Sequence, residues 1–290
     1  MKYLRHESLK KHTSFRIGGQ ADYFCAPKSL AQLKEALLYG RANNLGIAFI
    51  GGGTNLLALD KGFRGLAIKL GDGLGQIKIN GLSVTVGAGA LLPKLLSQLA
   101  GKNLSGLEFL AGVPGTVGGA VVMNAGAWGK EIGRYIELVK AIDHDGHERI
   151  FTQAECEFAY RHSLFQKGHW LIYEATLRLT KGKTLGIKNA IRGFIKMRRE
   201  SQPLGIPNAG SVFKNPKHKY AGKLIEEAGC KGMRVGDAQV STKHANFIVN
   251  LGEAKASDVI KLMARVQKIV KDKHRVTLEP ELKFMVECKK

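Results

Sequence analysis

Five short stretches carry residues whose types and spacing suit chemistry on an anionic ligand. Gly51-Gly52-Gly53-Thr54-Asn55 follows the apolar run Ile47 to Ile50. Consecutive glycines let successive backbone N–H groups point at one spot, a nest that suits phosphate oxygens; a tight turn asks for the same residues. Gly112-Val113-Pro114-Gly115-Thr116-Val117-Gly118-Gly119-Ala120 is a second such element. Proline, glycine and a run of small residues can open a helix toward an anion, or can let two backbones pack closely. Tyr160-Arg161 supplies a cation that can grip a carboxylate with two parallel hydrogen bonds, or serve a surface salt bridge. Gly210-Ser211-Val212-Phe213-Lys214-Asn215-Pro216 packs a hydroxyl, a cation and an amide into one turn. There Ser211 can transfer a proton if Lys214 or another cation lowers its effective pKa, or can make only local backbone bonds. Glu279-Pro280-Glu281 adds two carboxylates near the end of the sequence, either of which serves equally as a solvated surface group.

Standard fingerprints are missing. The sequence has no G-x-G-x-x-G, no G-x-x-x-x-G-K-[ST] and no G-x-S-x-G, so a Rossmann site, a P-loop and a hydrolase elbow are all disfavoured. Two glycine-rich elements without these fingerprints leave open both a dinucleotide held in some other way and glycines that serve only tight turns and close backbone packing.

The elements that must position these residues can be sketched from periodicity. A first region, 1–66, holds a helix from Ser29 to Asn43, with a Ser29/Gln32 capping box and a stripe of Leu30, Leu33, Leu37 and Leu38, and then the Ile47–Ile50 strand. A second, 67–183, holds an alternating strand at Leu82–Val86, a helix from Leu91 to Ala100 closed by Gly101, and a strand at Leu171–Leu179. A third begins at Thr184. Ile187, Ile191 and Ile195 mark a helix running toward Pro203, and Ser257 opens an amphipathic helix with Val259, Leu262, Met263, Val266, Ile269 and Val270 on its core face. Phe284-Met285-Val286 reads as a closing strand. Strands and helices mixed without strict alternation point to an α+β architecture.

Composition agrees with a globular chain: 290 residues, 44% hydrophobic and 24% charged, ample for more than one domain. No apolar leader is visible. The uncharged stretch Phe109–Gly129 is long enough to cross a bilayer but is broken by glycines and Pro114, so it reads as a loop-rich buried segment. Cys25, Cys156, Cys230 and Cys288 are far apart and suit free thiols in a reducing compartment; no metal site is expected. The formal charge is +21, with 21 Lys+Arg against 14 Asp+Glu through Thr180 and 24 against 10 beyond it. The basic last third is either a solvated surface or a region that handles a polyanion. A nucleic acid is disfavoured, since no helix-turn-helix, zinc-finger or RNP pattern occurs and aromatics are only 7%.

Seven stretches, taken in order, resemble the UDP-N-acetylenolpyruvoylglucosamine reductases, flavoenzymes of bacterial peptidoglycan precursor synthesis. They are His12–Gly19, Gly51–Leu56, Leu107–Gly115 continuing through Met123–Ala127, Phe158–Arg161, Asn208–Pro216, Gln239–Ala245 and Leu278–Leu282. The resemblance implies a two-subdomain FAD-binding fold of the vanillyl-alcohol-oxidase kind (1–66 and 67–183), then an α+β substrate-binding domain (184–282). A terminal strand (283–290) would return to the first subdomain. It implies non-covalent FAD contacted by Gly51, Gly52, Gly53, Thr54, Asn55, Pro114, Gly115, Thr116, Gly119, Ala120 and Asn124. NADPH would reduce the flavin and leave. UDP-N-acetylglucosamine enolpyruvate would then receive the hydride, with Ser211 donating the proton and Arg161 and Glu281 holding and polarising its carboxylate. Lys214, Asn215 and His244 fall where the substrate is contacted. The resemblance implies a cytoplasmic enzyme, with no membrane insertion, no nucleic acid and no obligate protein partner. About 50 residues separate Arg161 from Ser211, which resembles the shorter branch of the family, so no lid tyrosine is expected. The alternative is a flavin-dependent oxidase of the same superfamily; many of those bind FAD covalently through His or Cys near the first glycine loop, and Gly51–Leu57 has neither.

Overall fold

A computed structural model describes residues Met1–Met285, so the expected strand residue Val286 lies outside the described residues. The chain forms two compact units that do not follow chain order. The first comprises Met1–Leu4, Phe24–Gly52 and Leu66–Met197; the second comprises Arg5–Tyr23, Gly53–Gly65 and the residues from Arg198 onward. Strands and helices are mixed in both, an α+β architecture.

In the first unit, helix α1 (Leu30–Ala42) begins where Ser29 Oγ accepts the Gln32 N–H at 3.2 Å. Gln32 reaches back one residue further than a capping box requires, accepting from Lys28 N–H at 2.8 Å. Leu33, Ala36 and Leu37 are buried, whereas Leu38 is exposed, so the apolar stripe is narrower than its sequence suggests. After α1, Ile47–Ile50 pairs in parallel with Leu66–Lys69. A five-stranded antiparallel sheet forms the body of the unit, in the order 148–152, 136–142, 171–178, 83–87, 77–80. The alternation Val84/Val86 turns both valines inward, as period-2 patterning dictates. Helix α2 (Leu92–Gly101) buries Leu92, Leu95, Leu96 and Leu99. Helix α3 (Val117–Val122) packs on strands 171–178 and 83–87. Its Gly118 allows this approach, because a Cβ there would stand 2.7 Å from that of Ala88. Helix α4 (Thr184–Ser201) carries the chain from the first unit into the second.

The second unit holds the antiparallel sheet 208–211, 247–250, 238–240, 234–235. Helices α5 (Ala221–Glu227) and α6 (Ala256–His274) accompany it. The core face of α6 is the one its periodicity predicts: Val259, Leu262, Met263, Val266 and Val270 are buried and Ile269 is partly buried, while Lys261, Arg265, Lys268 and Lys271 are in water. Burying each Leu or Val contributes about 1.5–3 kcal/mol. The helix starts on Lys255, which has no capping oxygen; Asp60 fills that role from a distant loop, its carboxylate accepting from Ala256 N–H at 2.7 Å and Ser257 N–H at 2.9 Å. Burial pushes the Asp60 carboxyl up, but these N–H donors outweigh it and hold it below the usual carboxylate range. Finally, Lys283–Met285 runs parallel to Leu56–Ala58.

Candidate functional site

The first glycine loop straddles the boundary of the units, Gly51–Gly52 belonging to the first and Gly53–Asn55 to the second. In the first unit Gly51 and Gly52 lie against the second glycine element. A Cβ on Gly51 would come within 2.8 Å of Thr116 Oγ1, and one on Gly52 within 2.7 Å of Gly115 Cα. Only glycine permits this backbone-to-backbone approach. Thr116 caps α3, accepting from Gly119 N–H at 3.4 Å. The Val117 and Gly118 N–H groups are already bonded to the Ala90 and Ala88 carbonyls at 2.9 and 2.8 Å, and Ala120 is buried. Close backbone packing therefore accounts for this part of the element. In the first unit Gly119 is exposed, its Cβ position facing open space apart from Thr116 Oγ1, whereas Thr116 itself is buried. Pro114 is exposed as well. Bare glycine backbone at Gly51–Gly52 beside Gly115, all in the first unit, fits the diphosphate of a flavin dinucleotide.

Asn124 engages its side chain within the protein. It is fully buried and left-handed (φ 43°). Its Nδ2 donates to Glu131 Oε2 and to the Ala159 carbonyl, both at 2.9 Å, and its Oδ1 accepts from Gly133 N–H at 2.9 Å. The amide thus shapes the turn that carries Arg161. Arg161 is half-buried and also left-handed (φ 53°), with its guanidinium 5.3 Å from the Tyr160 ring centroid. Ala159 and His162 exchange backbone hydrogen bonds across this turn.

In the second unit the backbone next to Ser211 pairs with the backbone of Glu281. The Asn208–Ser211 strand contains an irregularity in its pairing with 247–249, where Gly210 takes φ +76°. The Asn208 side chain accepts from Gly210 N–H at 2.9 Å and fixes that kink. One residue past Ser211, the Val212 carbonyl accepts from Glu281 N–H at 2.8 Å, while Lys214 N–H donates to the Glu279 carbonyl at 2.8 Å. The two carboxylates of Glu279-Pro280-Glu281 are thereby separated in kind: Glu279 is exposed and pairs with Lys214 at 3.5 Å, and Glu281 is half-buried. Asn55 joins the same place, its Nδ2 donating to the Glu281 carbonyl at 3.2 Å. Partial desolvation, and then the like charge of Lys214, lower the Lys283 pKa below the usual lysine range; Glu281 opposes them. Lys283 is exposed as a residue, so water screens the effect.

Asn215 and His244 meet at the start of α5. Asn215 Oδ1 accepts from Ala221 N–H at 3.0 Å, and a Cβ on Gly222 would stand 3.1 Å from His244 Cε1. Burial lowers the His244 pKa, and its Nδ1 accepts from Asn246 N–H at 3.2 Å, which places the neutral ring's proton on Nε2.

Several supporting residues carry no role in the sequence reading. Ser14 Oγ donates to the Asn208 carbonyl at 2.7 Å, and Asn246 brackets Phe213, accepting its N–H at 3.0 Å and donating to its carbonyl at 2.8 Å. Ser14 does lie in the quoted stretch His12–Gly19. Asn246 falls just beyond Gln239–Ala245, and no local pattern marks it.

Residues 21–151 match the model of the FAD binding domain family, and residues 202–285 match that of the UDP-N-acetylenolpyruvoylglucosamine reductase C-terminal domain. UDP-N-acetylenolpyruvoylglucosamine reductase of Halalkalibacterium halodurans is 44% identical over 97% of this chain and 94% of its own length. That of Clostridium botulinum is 43% identical over 97% and 92%. The crystal structure of the Thermus caldophilus reductase superposes with a TM-score of 0.83 at 36% identity, covering 98% of each chain. With glycine loops that fit a flavin diphosphate and a relative this similar over nearly its whole length, the chain belongs to the UDP-N-acetylenolpyruvoylglucosamine reductase family, a family of FAD-dependent oxidoreductases.

Proposed function

We propose that Arg161, Ser211 and Glu281 carry the reduction of UDP-N-acetylglucosamine enolpyruvate to UDP-N-acetylmuramate, with NADPH as the hydride source. The observation that supports this reading is the junction at Val212, where the carbonyl next to Ser211 accepts from the Glu281 N–H and so ties these two chain segments to each other. FAD, when bound, supplies a two-electron carrier that takes a hydride from NADPH and passes it to the terminal carbon of the enolpyruvyl group. Gly51–Asn55 would offer backbone N–H groups to its diphosphate, and Pro114, Gly115, Thr116, Gly119 and Ala120 would shape the second glycine element's side of the cofactor.

Hydride addition places negative charge on the carbon conjugated to the substrate carboxylate. Arg161 grips that carboxylate and stabilises the charge as it grows, which a fixed cation in a dry site does far better than water. Glu281 polarises the same group, and the Ser211 hydroxyl delivers the proton to the carbon that bears this charge. Lys214, Asn215 and His244 hold the uridine diphosphate end. Two anionic ligands using one site in turn need no separate nicotinamide domain, in line with the missing Rossmann fingerprint.

We read 1–66 and 67–183 as the flavin-holding subdomains and 184–282 as the substrate domain, and place the enzyme in the cytoplasm. Among the described residues no helix is long and apolar enough to cross a membrane. Anaerobic stopped-flow tests the function: NADPH bleaches the flavin absorbance and the enolpyruvyl substrate restores it. A flavin that NADPH reduces but the substrate fails to reoxidise would exclude this reaction.

A further inference from the structure

The turn that carries Arg161 is tied to α3 by a side chain with no assigned role. Gln166 Nε2 donates to the Arg161 carbonyl at 2.9 Å and to the Val122 carbonyl at 3.1 Å. Both partners are acceptors, so the amide nitrogen must point at them. Val122 is the last residue of α3, and its carbonyl is one of those a helix end leaves without an intrahelical partner. Ser163, fully buried, donates to the same oxygen at 2.7 Å. Gln166 is itself anchored: its neighbour Phe165 is buried and packs edge-on against Phe151 with ring centroids 5.3 Å apart.

Arg161 needs such a tie. A non-glycine residue at φ 53° is strained and persists only where its surroundings over-determine it. The backbone of residue 161 sets the direction of its Cα–Cβ bond, and hence where the guanidinium points. At its other end α3 seats Thr116 against Gly51. One short helix therefore touches the glycine loop at its start and, through Gln166, the Arg161 carbonyl at its end.

We propose that Gln166 is a positioning residue for the reaction, holding Arg161 in its left-handed conformation and fixing its direction relative to the glycine loop. This rests on Arg161 acting as proposed above. The test uses three FAD-loaded variants: Gln166→Met, similar in size but without a donor; Gln166→Lys, whose ammonium can still donate to both carbonyls; and Arg161→Ala as control. In Gln166→Met, single-turnover flavin reoxidation by the enolpyruvyl substrate falls on the order of 10²-fold, the loss a misplacement of about 1 Å can bring. Flavin reduction by NADPH and the FAD dissociation constant, measured by titrating apoprotein, stay within about two-fold, because no cofactor contact is touched. Gln166→Lys recovers most of the reoxidation rate.

The proposal is overturned if Gln166→Met reoxidises at the wild-type rate while Arg161→Ala is slow. It is equally overturned if Gln166→Met loses both half-reactions together with FAD affinity, or cannot be obtained folded, since either makes Gln166 a plain structural residue. A Gln166→Lys variant as slow as Gln166→Met would also remove the hydrogen-bond argument. If Arg161→Ala itself reoxidises normally, the role of Arg161 fails, independently of Gln166.

Discussion

Arg161 and Ser211 are held by opposite means. Ser211 ends a strand, and its neighbourhood is fixed by main-chain bonds: its register with Phe247, the Val212 N–H on the Asn246 carbonyl, and the Glu281 N–H on the Val212 carbonyl. Arg161 sits on a four-residue turn outside the sheet, in a left-handed conformation, and side chains do much of the holding. Each region also has a buried amide. Asn246 brackets Phe213, a residue whose neighbours are already in the ladder, whereas Asn124 grips a turn that has no ladder. Main-chain geometry survives most substitutions nearby. A turn held by side chains depends on which residues those are.

The largest expected effect tests whether the Arg161 turn matters at all. Arg161→Ala slows flavin reoxidation by the enolpyruvyl substrate roughly 10²–10³-fold, the usual loss when one preorganised charge-stabilising group is removed, and leaves reduction by NADPH intact. Equal slowing of both half-reactions would instead mean a damaged cofactor site.

The two buried amides sharpen the contrast. Asn124→Ala and Asn246→Ala each strand buried polar groups and lower stability by about 2–3 kcal/mol in urea unfolding. Only Asn124→Ala also slows reoxidation of the folded holoenzyme, by about ten-fold, one decade per 1.4 kcal/mol of barrier. If Asn246→Ala slows it equally, the claim that the ladder suffices to hold Ser211 is wrong.

Away from both regions, Asp60→Ala removes the borrowed cap of α6 and lowers stability by about 1 kcal/mol. The folded Asp60 pKa is held below its unfolded value. Its contribution is therefore present above the ordinary carboxylate value near 3.9 and lost as pH falls through the lower folded value. The melting-temperature gap between wild type and Asp60→Ala should close on acidification below about pH 4, and a gap that widens would reverse the sign.

The smallest effect belongs to His244. Burial holds its folded pKa below the ordinary 6.5, so the unfolded chain takes up the proton first and stability drops as pH falls below that value. His244→Phe should flatten this slope in thermal melts between pH 7 and 5. An unchanged slope would assign it to another group.

Much of this was legible in the sequence because it rests on local pattern. Period-2 alternation at Val84/Val86 and the apolar face of α6 are set by neighbours within two turns, and the structure has them. Ser29 with Gln32 marked the start of α1, while Leu38, on the apparent stripe, is exposed because periodicity shows a face and not how much of it is covered. Contacts from a side chain to the main chain of another segment or turn were not legible. Asp60 capping α6, Ser14 holding Asn208 and Gln166 holding Arg161 join side chains to backbone carbonyls or N–H groups, and such partners leave no trace in residue type or spacing. The second glycine element was legible as glycine-rich but ambiguous in purpose. The structure divides it, with Val117 and Gly118 spent on Ala90 and Ala88 and Thr116 and Ala120 buried, while Pro114 and Gly119 are exposed.

The most direct test of the central claim is anaerobic single-turnover stopped-flow on Ser211→Ala. The account predicts that NADPH bleaches this flavin as fast as in the wild type, while formation of the saturated product drops by about 10²–10⁴-fold, the range for loss of a general acid. Saturated product appearing at the wild-type rate would contradict it.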